Sequence, residues 1–255
     1  MIDPTDVWVS ALHDVSHKYE HVSAPRDLKV REIVNYNYTT SLSCPVVEHK
    51  GRNLNYAFMF GEAAWILKGR NDLNYISKYM KTYGRFSDDG VTLNGAYGPK
   101  ITDQISWAAN ELKNDPDSRR CYVNIWRERP GVTKDVPCTT GLQFLLRGNA
   151  LHCVVNMRSQ DCVWGMPYDI FTFSAITKYL QLMLYNTYDL CVGLGELHVR
   201  AGSFHIYEQH FVDAEHWLSA TDRNEMSVEY DKLAAVIAAN EYTSNLENGA
   251  NQLLS

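Results

Sequence analysis

CTTGLQFLLRGNALHCVVNMRSQDCVWGMPYDI, residues 138–170, is the stretch on which the fold turns. Two β-prone runs, CTTGLQFLLRGN and ALHCVVNMRS, meet at Gly148 and Asn149. A Gly-Asn pair between two such runs is a strong hairpin signal, because both residues tolerate the positive φ of a tight turn. DCVWGMPYD then breaks the pattern as a loop. From Ile170 to Tyr185 a long helix is expected, with Phe171, Phe173, Ile176, Leu180, Leu182, Met183 and Leu184 as its apolar residues. Antiparallel strands feeding directly into a buried helix point to an α+β unit.

Upstream, CYVNIW (121–126) alternates as a strand after the turn NDPDSRR, and a helix is expected from Thr102 to Leu112. Residues 83–99, with SDDG and NGAYG, form a loop. Asn55 to Lys68 predicts a helix buried on most sides and stopped by Gly69, and Leu28 to Leu42 is strand-like. An amphipathic first helix runs over Asp6–Glu20 with Thr5 as its cap. Downstream, ELHVRAGSFHIYEQHF supplies another strand and a turn into a helix. The polar tail, 241–255, is expected to be mobile.

With 255 residues, 45% of them hydrophobic, the chain can bury a core as one domain over 1–255 without disulfides or metals. A net charge of −6 and a pI near 5.8 exclude a protein that coats nucleic acid, so an anionic ligand has to meet a local basic cluster. The six cysteines include no CxxC pair, which points to reduced thiols. The N-terminus lacks the pattern of a secretory signal, and no stretch of about 18 apolar residues occurs. A soluble, cytoplasmic protein with no membrane partner is the expectation. The nine histidines show no metal-ligand spacing, and neither GxSxG nor a P-loop is present.

Arginines stand out in this acidic chain: Arg26 after a proline, the pair Arg119 and Arg120 in DPDSRR, and Arg158 before Ser159. Guanidinium forks suit phosphate, although any one of them taken alone is more often a solvated surface arginine. Cys138 sits where a proline-containing loop enters a strand. A free thiol there is more often a small buried hydrophobe than a nucleophile, and a reactive one needs a cation such as Arg158 to lower its pKa.

The order and spacing of GEAAWILKGR (61–70), NGAYGPK (94–100), DPDSRR (115–120), PC at 137–138, RSQDCVWGMPYDI (158–170) and HVRAGSFHIYEQH (198–210) resemble the thymidylate synthase family over roughly residues 20 to 215. The resemblance implies a mixed β-sheet packed with helices, one sheet face being used for dimerisation. It implies that Cys138 is the nucleophile and that Arg26, Arg119, Arg120, Arg158 and Ser159 hold the phosphate of a pyrimidine nucleoside monophosphate. Arg119 and Arg120 would reach across from the partner of an obligate homodimer. His205 and Tyr207 would hold the sugar hydroxyl, and Glu62 and Tyr97 would order water and move protons. Asp161 and Gly165 would lie against the pterin of 5,10-methylenetetrahydrofolate, the cosubstrate, with no metal involved.

These residue types suit the reaction so implied. C5 of a pyrimidine is too weak a nucleophile until a thiolate adds to C6 and turns C5 into an enamine or enolate carbon. After one-carbon transfer and loss of folate, the exocyclic methylene accepts either hydride, giving methyl, or water, giving hydroxymethyl. Thymidylate synthases carry tryptophans before the tyrosine loop, whereas KTYGRFSDDG (81–90) has none, which favours water.

PYDI (167–170) departs from the PFNI-type motif by placing Asp169 where uridylate enzymes have Asn. A carboxyl can accept from the 4-amino group of cytosine and share a proton with N3. Asp169, Thr139, VVNMRS and GSFHIY resemble the phage deoxycytidylate hydroxymethylases. A plain structural role for Asp169 is a helix N-cap. The expected activity is cytidylate 5-hydroxymethylation, on CMP or dCMP. A thymidylate synthase or a dUMP hydroxymethylase is the rival, and a silent nucleotide- or RNA-binding regulator the remote one.

Overall fold

The computed structural model describes residues 2–126, 131–220 and 239–254. Among these, six strands form one sheet in the order β1-β2-β6-β5-β4-β3. The strands are β1 (His21–Ser23), β2 (Val30–Ser41), β3 (Tyr122–Asn124), β4 (Thr139–Arg147), β5 (Ala150–Asp161) and β6 (Gly193–Tyr207). All neighbours are antiparallel except β5 and β6, so the sheet is mixed.

The hairpin expected at Gly148-Asn149 joins β4 to β5. Arg147 pairs with Ala150, and the two turn residues have φ of 55° and 61°. β5 cannot reach a parallel neighbour through a tight turn, and α5 (Met166–Tyr188) makes the crossover. It packs on β5 and β6 and buries Ile170, Phe171, Phe173, Ile176, Leu180 and Leu184. α2 (Tyr56–Leu67) and α4 (Gly98–Asn114) lie against α5, while α1 (Pro4–His17) covers β2. Truncating a side chain such as Phe171, fully buried in this layer, to Ala costs about 3–5 kcal/mol. The short α3 (Leu73–Ile76) and α6 (Phe211–Ser219) flank the body.

Three details differ from the expectations. The cap of α1 is Asp3, whose carboxylate accepts from the Thr5 and Asp6 amides, not Thr5. Asp169 is not an N-cap: α5 begins after Gly165 and places Asp169 in its first turn. The tail forms α7 (Ala239–Gln252), with Tyr242, Leu246 and Ala250 buried, and it packs on α2 and α5. Its few apolar residues recur at intervals of four, so a largely polar segment still presents a stripe to the core. Lys68–Glu247 and Tyr79–Asn251 tie it down.

The sheet is interrupted along one row. Asn35, Gly202 and Arg158, on the adjacent strands β2, β6 and β5, have no register partner, and Asn35 has φ 60°. On β5 the buried positions run Val155, Met157 and then Gln160; on β6 they run Val199, Ala201 and then Phe204. The inward face thus changes phase by one residue across the row, as an irregular extra residue requires. A side chain at Gly202 would press on the Arg158 carbonyl, its Cβ lying 3.0 Å away.

Candidate active site

Cys138 is the last residue before β4, and Arg158 closes around it. The Arg158 amide donates to the Cys138 carbonyl at 2.8 Å, its Nε donates to the Pro137 carbonyl at 3.0 Å, and Nη2 donates to the Val136 carbonyl at 2.9 Å. Nη2 also lies 3.7 Å from Cys138 Sγ. The guanidinium is therefore both the splint of the loop and, among the described residues, the cation beside the sulfur. Burial nevertheless pushes the thiol pKa up; Arg158 and Arg26 pull it down, while Asp169 and Asp135 add to the rise. Arg158 thus lowers the thiol pKa as expected, but desolvation outweighs it, and the net shift is upward.

Two carboxyls share this neighbourhood. Asp169, on the first turn of α5, is pushed up to about 7, mainly by desolvation, with Asp161 adding and a hydrogen bond from Gln160 opposing. Glu62, on α2, is likewise pushed up to about 7 by desolvation, with Asp169 adding and the Tyr83 hydroxyl opposing. Tyr83 donates directly to Glu62 Oε1. The position of Glu62 follows from how α2 starts. Asn55 caps it by accepting from the Phe58 amide at 2.9 Å, and the Asn55 amide donates to the Tyr168 hydroxyl at 2.9 Å, beside Asp169.

Tyr97 shares a hydrogen bond of 2.8 Å with the Thr139 hydroxyl and feels both Asp169 and Cys138. Arg26, with φ 55° beside Asp27 at φ 62°, hydrogen-bonds Tyr207. Two successive non-glycine residues in the left-handed region mark a strained turn held by its surroundings. His205 is 8% exposed and meets Tyr207 edge-on at 5.0 Å. Burial lowers the His205 pKa and keeps the ring neutral, and its Nδ1 is buried without a partner.

Asp161 and Gly165 bound the loop into α5. Asp161 Oδ1 accepts from the Val163 and Trp164 amides at 2.6 and 3.0 Å, and Arg52 donates twice to the Val163 carbonyl. A Cβ at Gly165 would stand 2.8 Å from the Asp161 carbonyl and 3.3 Å from Asp169 Oδ2, so this close approach needs glycine.

The fold thus brings Cys138, Arg158, Asp169, Glu62, Tyr97, Arg26, Tyr207, His205 and Asp161 into one interacting set, with Ser159 on the strand between Arg158 and Gln160. Arg119 and Arg120 are not part of it. The Arg119 carbonyl accepts from Gln143, five residues along β4 from Cys138, or roughly 17 Å at 3.4 Å per residue. Both side chains are exposed.

Sequence reading missed Gln160, Tyr38, Arg52 and the task of Tyr83. Strict alternation after Met157 would send Gln160 outward, and only the interrupted row turns it in. It also missed that His152, Glu196 and His198 gather across β5 and β6, their potential ligand atoms within 4.8 Å of one another. As they stand, His152 Nδ1 accepts from the Glu196 amide at 3.2 Å, which leaves the ring proton on the other nitrogen.

A profile described as Thymidylate synthase matches residues 8–244. The chain belongs to the thymidylate synthase family. The mixed sheet with its covering helices is the α+β arrangement expected for that family. The chain is also 31% identical over 226 residues to the Deoxyuridylate hydroxymethyltransferase of Bacillus phage SP01, a match covering 80% of this chain and 57% of the relative. It therefore spans little more than half the length of that relative. No helix among the described residues is long and apolar enough to cross a membrane.

Proposed function

We propose that this protein is a folate-dependent one-carbon transferase that adds a hydroxymethyl group to C5 of cytidylate. The carrying observation is Asp169: a carboxyl beside the cysteine, held at Oδ2 by a 2.9 Å donor, with Oδ1 left to meet a base. In the ionised form it offers only acceptors, which fits a 4-amino group and opposes a 4-oxo group.

Cys138 attacks C6 as a thiol, and its proton passes to the Asp169 carboxylate as the S–C6 bond forms. Arg158 lies beside the sulfur. Arg26, Arg158 and Ser159 bind the phosphate, and His205, whose Nδ1 has no partner in the protein, takes the sugar hydroxyl with Tyr207. Asp161 and Gly165 lie against the pterin of 5,10-methylenetetrahydrofolate. Carbon transfer to C5, loss of the C5 proton and release of folate leave an exocyclic methylene. Water held by Glu62 and Tyr97 adds to that carbon, and the thiol leaves. Support for water over hydride comes from residues 81–90. They contain no tryptophan, and their Tyr83 is spent on holding Glu62.

A homodimer with Arg119 and Arg120 crossing to the partner's phosphate fits their distance from Cys138 in their own chain. The open sheet face, where Val154, Asn156 and His198 are only partly covered and Arg200 is exposed, is the surface such a dimer would use. A uridylate substrate is the second reading, favoured by the activity for which the phage relative is named. The test is to supply CMP, dCMP, UMP and dUMP in parallel with methylenetetrahydrofolate and weigh the products. A gain of a hydroxymethyl group on a cytidylate is expected; turnover of dUMP alone, or a methyl product, refutes the assignment.

A further inference from the structure

Gln160 lies on β5, is 2% exposed and is turned inward by the interrupted row. Its Nε2 donates to Asp169 Oδ2 at 2.9 Å and to the Tyr38 hydroxyl at 3.1 Å. Its Oε1 is buried with no partner. A buried amide that leaves its own oxygen unsatisfied is costly, so the two bonds from its nitrogen are what hold it in place.

A carboxyl can read a base in two ways. Ionised, it only accepts, and it discriminates a 4-amino pyrimidine from a 4-oxo one. Protonated, it also donates, and the added O–H satisfies a 4-oxo group. Desolvation pushes Asp169 toward the protonated, permissive form. The groups interacting with it are themselves acids: Glu62 from α2, Tyr97 before α4, Cys138 before β4, Asp161 on β5 and Tyr38 on β2. The donor from Gln160 is the opposing influence.

We infer that Gln160 is a positioning residue for base specificity: by donating to Oδ2 it anchors the Asp169 carboxyl as an acceptor, keeps Oδ1 free to read the base, and so lets the site reject 4-oxo pyrimidines. Tyr38 fixes the direction of the amide. The inference rests on the reading of Asp169 as the base-recognising group.

The test is Gln160→Met, which keeps the volume and removes the donor. Dissociation constants for CMP, dCMP, UMP and dUMP are measured by calorimetry from pH 6 to 9, and the Asp169 carboxyl is titrated by carbon NMR on aspartate-labelled protein. In the variant the carboxyl titrates at higher pH. The cytidylate-over-uridylate affinity ratio falls about tenfold near neutrality and recovers when the pH is raised by one to two units. A purely structural role would weaken all four nucleotides by a common factor at every pH, and that result, or an unmoved carboxyl titration, overturns the inference. Should Gln160→Met not fold, Tyr38→Phe releases the amide and should give the same change with smaller size; an unchanged ratio there counts equally against it. Wild-type protein that prefers uridylate removes the cytidylate reading. A carboxyl titration that still moves to higher pH in Gln160→Met then leaves the anchoring of Asp169 standing; an unmoved one overturns both.

Discussion

Replacing Asp169 by Asn changes one atom in a site whose geometry dictates how the new amide must sit. The Gln160 Nε2–H lies 2.9 Å from Oδ2 and needs an acceptor, so the asparagine oxygen takes that place. Its NH2 then occupies the position of Oδ1 and can only donate. Against a 4-amino group two donors face each other. One hydrogen bond, about 1 kcal/mol, is lost, and a buried donor left unsatisfied costs about 1–3 kcal/mol more. Cytidylate kcat/KM should fall by roughly 30- to 800-fold, at a factor of ten per 1.4 kcal/mol. Against a 4-oxo group the same NH2 gains a partner, so uridylate turnover should rise about fivefold. The assay is initial-rate tritium release from C5-labelled dCMP and dUMP, with product masses. In wild type the preference for cytidylate should grow as the pH rises through about 7, where Asp169 ionises; the Asn variant should show no such limb. A substrate ratio within twofold of wild type in the variant would refute the assignment of Asp169 as the reader of the base.

Glu62 and Asp169, raised to about 7 from ordinary values of 4.5 and 3.8, bind protons in the folded state that the unfolded chain has already released. Their contribution to stability is therefore fully present below about pH 4 and is lost as pH rises toward 7. Glu62→Gln should raise Tm at pH 8 by several degrees more than at pH 4, as thermal melts would show, while lowering turnover. Cys138, with its pKa raised by burial, should react slowly with iodoacetamide at pH 7 and faster at higher pH. Arg158→Lys, which loses the fork holding the loop, should slow alkylation further, and Cys138→Ser should abolish C5 proton release without preventing nucleotide binding. If Arg119 and Arg120 serve the partner's site, mixing Arg120→Ala with Cys138→Ser chains should restore about a quarter of wild-type activity, because half the dimers are mixed and each has one intact site. No restoration above the parent variants would show that each chain works alone.

Much of the frame is written in local pattern. The Gly148-Asn149 turn, the apolar α5 and the buried α2 each follow from signals within about twenty residues, and each forms within a few residues of its expected bounds. What stays hidden depends on relations between distant strands. In sequence Gln160 reads as a spacer between Ser159 and Asp161, because its inward turn is set jointly by Asn35 and Gly202 on neighbouring strands. The tail reads as mobile because its polarity averages out the stripe of Tyr242, Leu246 and Ala250. The histidines read as unrelated because His152 meets His198 only through the parallel β5–β6 pairing.

The resting state of the site has a chemical logic that follows from burial. Cys138, Glu62, Asp169 and Tyr97 are all acids held toward their protonated forms by desolvation, and their mutual repulsion reinforces this. A set of four such groups cannot ionise together, so removing one proton makes the next harder to remove. A reaction that must deprotonate a thiol, take a proton from C5 and deliver water is suited by such a reservoir. Each proton has a nearby acceptor of matched strength, with Glu62 and Asp169 both near 7. The donors from Tyr83 and Gln160 hold each carboxyl by one oxygen and bring its pKa back toward neutrality. Without them, desolvation alone would keep both acids protonated and unable to accept the protons that the chemistry releases.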